Sequence, residues 1–87
     1  MNHIKVLFFA TLRERAGTKM IEMDIEPGAT VRDLKNALIR RIPGIKDAIE
    51  HCLAAVNHEY SDETAEIPLA AEIAFFPPVS GGVDVRL

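Results

Sequence analysis

Three features of this chain could carry chemistry: one cysteine, three histidines and a glycine pair near the C-terminus. Cys52 stands in a run of small and apolar residues, Cys52-Leu53-Ala54-Ala55, so it reads as a buried, inert thiol rather than a persulfide carrier. His3, His51 and His58 lack ligand spacing with Cys52, and no metal is assigned. The acidic residues and serines form no triad pattern, and 87 residues are too few for a self-contained hydrolase pocket, so the chain is not expected to be an enzyme by itself. Gly81-Gly82 follows Phe75-Phe76-Pro77-Pro78-Val79-Ser80. Pro77 and Pro78 favour an extended chain that cannot fold back into a sheet. The stretch from Pro77 to Gly82 reaches about 20 Å at roughly 3.3 Å per residue. Its last two residues have no side chains and can thread a narrow channel. Spacing alone reads Gly81-Gly82 equally well as a turn leading into Val83–Leu87.

The elements that must position this segment follow from periodicity. Ile4–Ala10 is rich in β-branched and aromatic residues and predicts a strand. Thr11–Ala16 predicts a polar turn of helix closed by Gly17. In Lys19–Glu26, Ile21, Met23 and Ile25 alternate with Met20, Glu22, Asp24 and Glu26, which predicts a half-buried strand paired antiparallel with the first. Thr30 predicts an N-cap, with Asp33 as the acid of a capping box. Val31, Leu34, Leu38 and Ile42 recur at helical spacing beside Ala37, while Arg32, Lys35, Arg40 and Arg41 fall largely off that stripe. Pro43-Gly44 ends the helix, and Ile45–Glu50 suits one further turn. Strands are expected at Cys52–Asn57, at Glu59–Ser61 after a tight turn at Asn57-His58, and at Glu72–Phe76, with Asp62–Ala71 a loop. Alternation sends Phe8 and Phe75 inward and leaves Phe9 and Phe76 as candidates for an exposed apolar patch. The order β-β-α-β-β-β suits an α+β fold. A β-grasp, or ubiquitin-like, mixed sheet packed on one main helix is the expected layout, chosen among several α+β options that periodicity leaves open.

Bulk properties bound the function. The length allows one domain, 1–78, followed by a flexible tail over 79–87. Hydrophobic residues at 48% and charged residues at 26% make a globular composition. A net charge of −3 with no basic run longer than Arg40-Arg41 argues against nucleic acid. No apolar run approaches the ~20 residues that span a bilayer, and no signal peptide is recognisable. A single cysteine suits a reducing compartment, so a cytoplasmic location is expected.

The segments Ile4-Lys5-Val6-Leu7-Phe8-Phe9-Ala10, Leu53-Ala54-Ala55-Val56-Asn57 and Ala74-Phe75-Phe76-Pro77-Pro78-Val79-Ser80-Gly81-Gly82 together resemble the small subunits of molybdopterin synthase, in the MoaD/ThiS sulfur-carrier family. The last segment is the most specific. The resemblance implies that an E1-like enzyme adenylates the Gly82 carboxyl with ATP and that a sulfur donor converts it to a thiocarboxylate. It further implies that the large synthase subunit receives the tail, and that the sulfur passes to cyclic pyranopterin monophosphate. The carrier itself binds no cofactor on this reading, ATP being used by the activating partner. Partner contacts are expected from Phe9, Arg13, Tyr60 and Phe76, and from the tail residues Pro77, Pro78, Val79, Ser80 and Gly81.

Three other functions share parts of this pattern: a thiamine-thiazole sulfur carrier, a ubiquitin-like protein modifier, and a β-grasp interaction domain whose tail never reacts. One departure stands out. Family members generally end at the second glycine, whereas Val83-Asp84-Val85-Arg86-Leu87 follows here. An amide at Gly82 cannot be adenylated, so a processing protease is expected to precede activation.

Overall fold

The computed structural model describes residues 1–78. The expected flexible tail, with Val79, Ser80, Gly81, Gly82 and the extension, lies outside the described residues. Every second residue of the first strand, β1 (Asn2–Phe8), is buried: Asn2, Ile4, Val6 and Phe8. The strand stops short of the expected Ala10. Phe9 is still extended, but Ala10 takes a left-handed φ of 55° and swings the chain into helix α1 (Ala10–Ala16). Gly17, at φ 77°, closes that helix by donating its N–H to the Arg13 carbonyl. β2 (Met20–Ile25) then pairs antiparallel with β1, Val6 facing Ile21 and Ile4 facing Met23.

Helix α2 (Val31–Arg41) begins with the expected capping box. Thr30 Oγ1 accepts from the Asp33 N–H at 3.2 Å, and Asp33 Oδ2 accepts from the Thr30 N–H at 3.0 Å. Two further unpaired donors of the first turn find loop carbonyls: Val31 N–H reaches Ala65 O and Arg32 N–H reaches Glu63 O. A 3-10 turn (Pro43–Ile45) leads into the short helix α3 (Lys46–Glu50). Strands β3 (Leu53–Val56) and β4 (Glu59–Ser61) form a hairpin through Asn57 and His58, both at positive φ. β5 (Glu72–Phe76) pairs parallel with β1 and antiparallel with β3.

The sheet order is β2-β1-β5-β3-β4. This mixed five-stranded sheet wrapped on α2 is a β-grasp layout. Ile4, Val6, Phe8, Ile25, Ala54, Val56, Ile73 and Phe75 face Val31, Leu34 and Leu38 of α2, with Leu12, Ile45, Ile49 and Ile67 closing the core. Among the described residues, no helix is long and apolar enough to cross a membrane.

One side chain departs from the expected pattern. Lys35 lies within the helix's buried side, only 2% exposed, instead of off the stripe. Its Nζ donates to Cys52 O at 3.2 Å and to Glu63 Oε2 at 2.9 Å, so the apolar stem packs inward while the ammonium stays paired. Arg32 joins the same cluster, contacting Glu63 at 2.7 Å and Glu50 at 3.1 Å. The cluster ties α2 to α3 and to the 62–66 loop. Hydrogen bonds from Arg32 and Lys35 hold the Glu63 carboxyl below its ordinary range, and Arg32 does the same to Glu50. A depressed folded value stabilises the fold above the unfolded pKa and stops doing so as pH falls through the folded one. Glu63→Gln should therefore cost about 1–2 kcal/mol at neutral pH by leaving buried Lys35 without its carboxylate. The gap between variant and wild type in thermal melts should close as pH drops below about 4.3, the unfolded glutamate value. A gap that persists unchanged into strong acid would mean the ion pairs contribute nothing.

Candidate functional site

Residues directly opposed across a ladder share a face of the sheet. On the face away from α2, one row crosses all five strands: Met20, Leu7, Ala74, Ala55, Tyr60. In the next row, Phe76 stands opposite Leu53. Tyr60 meets Phe76 edge to face, ring centroids 5.6 Å apart at 62°, a favoured aromatic geometry. Tyr60 is 76% exposed, Leu53 43% and Phe9 45%, while Phe76 is half-buried. The two alanines leave a low floor with an apolar bank on either side. Tyr60, Phe76 and Leu53 form one bank; Leu7 and Met20 form the other, and Phe9 joins the two at the end of β1.

Tyr60 and Phe76 are thus brought together, and Phe9, one residue past β1, follows the Phe8–Phe75 pair on the strand next to Phe76. The Phe9 N–H bonds the Phe75 carbonyl at 3.1 Å, which fixes it beside the end of β5. Arg13 is exposed on α1 and lines, with Phe9, Leu7, Met20, Lys5 and Lys19, a hollow of about 350 Å³. Leu53, Leu7 and Met20 complete the apolar face and were not singled out in the sequence. For Leu53 a signal existed: in a strand of alternating faces it points opposite to Ala54, and it is the one large residue there.

Pro77 and Pro78 leave the sheet beside this patch. They border an open groove of about 460 Å³ with Thr11, Glu14 and Arg15 of α1 and Asp47, Ala48 and His51 near α3. Pro77 has no N–H to extend the ladder, so pairing stops at Phe76 and the chain is released at the rim. The remaining expected contacts, Val79, Ser80 and Gly81, and the reactive Gly82 lie outside the described residues.

Cys52 is buried, and its Sγ donates to Ala48 O at 3.3 Å. Burial pushes its thiol above the ordinary range, partly offset by the nearby Lys35 charge, which disfavours the reactive thiolate. Among the described residues, no group of three His, Cys, Asp or Glu side chains comes together as a metal site. His3 bonds Asp24 and Glu22 at 2.7 and 2.8 Å at the far end of the same face, and these acids raise its pKa.

Comparison with known proteins places this geometry. Residues 6–82 match the ThiS family, so the match stops at the second glycine. A molybdopterin synthase sulfur carrier subunit from Escherichia coli (strain K12) is 38% identical, the alignment covering 91% of this chain and 99% of the relative. One from Arabidopsis thaliana is 32% identical over 91% of this chain and 82% of the relative. The crystal structure of SAMP1 from Haloferax volcanii is 30% identical and superposes with a TM-score of 0.81, covering 92% of this chain and 99% of that one.

The two neighbouring phenylalanines of β5 should separate folding from surface. Phe75, with no exposed area, should cost about 3–5 kcal/mol on truncation to alanine. Phe76→Ala loses a half-buried ring and one aromatic contact, and should cost about 1–2 kcal/mol. Chemical denaturation of both variants checks this; equal losses would put Phe76 in the core.

Proposed function

The chain belongs to the ThiS family, and on that premise we propose that it is the sulfur carrier subunit of a molybdopterin synthase. The observation that carries this reading is the near full-length similarity, at 32–38% identity, to relatives named molybdopterin synthase sulfur carrier subunit. The Gly82 carboxylate attacks the α-phosphate of ATP in the active site of an E1-like partner, releasing pyrophosphate and leaving an acyl-adenylate. Hydrosulfide then displaces AMP, which departs with the electron pair of the acyl C–O bond, and loss of the S–H proton leaves a thiocarboxylate. Within the large synthase subunit that sulfur passes to cyclic pyranopterin monophosphate. A carboxylate is a poor acyl donor, and this sequence supplies what its activation requires: a reach of about 20 Å from Pro77 and a terminus without side chains. The exposed face of Tyr60, Leu53, Phe76 and Phe9, at the root of the tail, offers a partner the apolar grip that a bare tail lacks.

A second reading, a protein modifier conjugated to lysines, is favoured by the similarity to SAMP1. It uses the same activated Gly82, and lysine-linked adducts in cell lysate distinguish it.

On either reading the group that is activated is a free Gly82 carboxyl, and in the full chain that carbon is in an amide with Val83. We therefore expect a protease to cut the Gly82–Val83 bond first. The full chain and a chain ending at Gly82 should each be incubated with an E1-like enzyme, ATP and a sulfur source, then weighed intact. The shortened chain should gain the mass difference of sulfur for oxygen, and the full chain should not. Equal thiocarboxylation of the uncut chain sinks the precursor idea. Failure of the shortened chain to react sinks the carrier reading itself.

A further inference from the structure

The hollow beside Phe9 has a chemistry that an apolar grip does not need. Leu7, Met20 and Phe9 form its greasy lining, and Lys5, Arg13 and Lys19 stand around it against a single lining carboxylate, Glu72. Lys5 sits between acids, opposite Glu22 on β2 and Glu72 on β5. Glu72 is also 3.4 Å from His58. Arg13 and Lys19 are different. Both are exposed, and among the described residues neither has an ion-pair partner within 4 Å. They come from separate elements, Arg13 from α1 and Lys19 from the residue before β2, and the Lys19 carbonyl is pinned by the Phe8 N–H at 2.9 Å. A chain of net charge −3 thus carries a local surplus of positive charge at one end of its apolar face.

We infer that this hollow receives a carboxylate side chain of the docking partner, carried next to an apolar residue that enters between Leu7, Met20 and Phe9. The inference rests on the sulfur-carrier reading and adds to it the chemistry of the partner's contact surface. Two arguments fix the occupant. The hollow is continuous with the apolar row through Leu7 and Ala74, so whatever covers Tyr60 and Phe76 extends over it. Its unpaired cations favour an anion, a forked guanidinium matches a carboxylate, and a carboxylate is the anion that a protein surface itself supplies. Charges at the rim of an apolar patch act chiefly on the rate and register of docking, because they steer encounter before contact. The same end of the face would therefore set which way round the partner lands, and so where the tail enters it.

The test uses the full chain and the large subunit of a molybdopterin synthase as probe, with binding followed by surface plasmon resonance at low and high salt. Wild type should associate faster at low salt. Arg13→Glu combined with Lys19→Glu should slow association roughly tenfold and abolish most of the salt dependence, in line with the effect of rim charges. The neutral pair Arg13→Gln and Lys19→Gln should fall between. Both positions are exposed, so thermal melts of all variants should match wild type. Replacing acidic residues of the probe by lysine, one at a time, should reveal one that restores binding to the Glu variant. If wild type binds but the reversal leaves rate and salt dependence within twofold, the inference is wrong and the carrier reading stands. If neither the full chain nor a chain ending at Gly82 binds the probe, the carrier reading falls and takes this inference with it.

Discussion

Everything functional about this fold depends on the parallel pairing of β1 with β5. A parallel pair needs a crossover, and here the whole of α2, α3 and the β3–β4 hairpin lies between the two strands. The pairing puts the last strand in the middle of the sheet, held on one side by β1 and on the other by β3. A tail leaving from an edge strand could fray with it. A tail leaving from β5 is anchored by the two most central ladders and by Phe75, one of the largest fully buried side chains. The loop that delivers the chain into β5 is secured just as firmly. Asn2, buried at the start of β1, donates to Pro68 O at 2.9 Å and accepts from the Ala70 N–H at 2.8 Å. A polar side chain spans from one end of the sequence almost to the other and sets where β5 begins.

The two faces of the sheet then divide the work. Large β-branched and aromatic residues on the inner face meet α2, whereas the outer face carries alanine at the two middle positions, Ala74 and Ala55. Larger residues there would bury each other and fill the surface. Alanines keep a shallow floor between two exposed banks, which is a shape a partner can enter. The stability of the domain thus comes mainly from the inner face and from the Lys35–Glu63–Arg32 cluster, and the outer face carries little of it.

Much of this was legible in the sequence, and the reasons are local. The capping box at Thr30 and Asp33, the αL stop at Gly17 and the Asn57-His58 turn are short-range signals, and each appears where the residues put it. The inward turn of Phe8 and Phe75 followed from alternation alone. What escaped was non-local. Lys35 reads as a surface lysine until Glu63 and the Cys52 carbonyl, distant in sequence, are seen to receive it. Leu7 and Met20 join Leu53, Tyr60 and Phe76 in one continuous surface only because the register aligns their strands. The hollow beside Phe9 joins Arg13 and Lys19 across a hairpin whose connection is itself a helix, so no spacing rule would have paired them.

On the carrier reading, the same surface must be used more than once. A chain that is activated by one protein and spends its sulfur in another cannot bind either too tightly, because release is part of the cycle. The apolar face suits that demand. Its exposed large residues are few, and Ala55 and Ala74 contribute little area, which suits a contact that must be released. Such a patch gains selectivity less from burial than from charge placement and from the tail itself, which is registered in a channel only when the domain sits correctly outside it. One face and one tail also mean that the two partners exclude each other. The order of the reaction would then be enforced by occupancy: the activating enzyme must leave before the sulfur can be delivered.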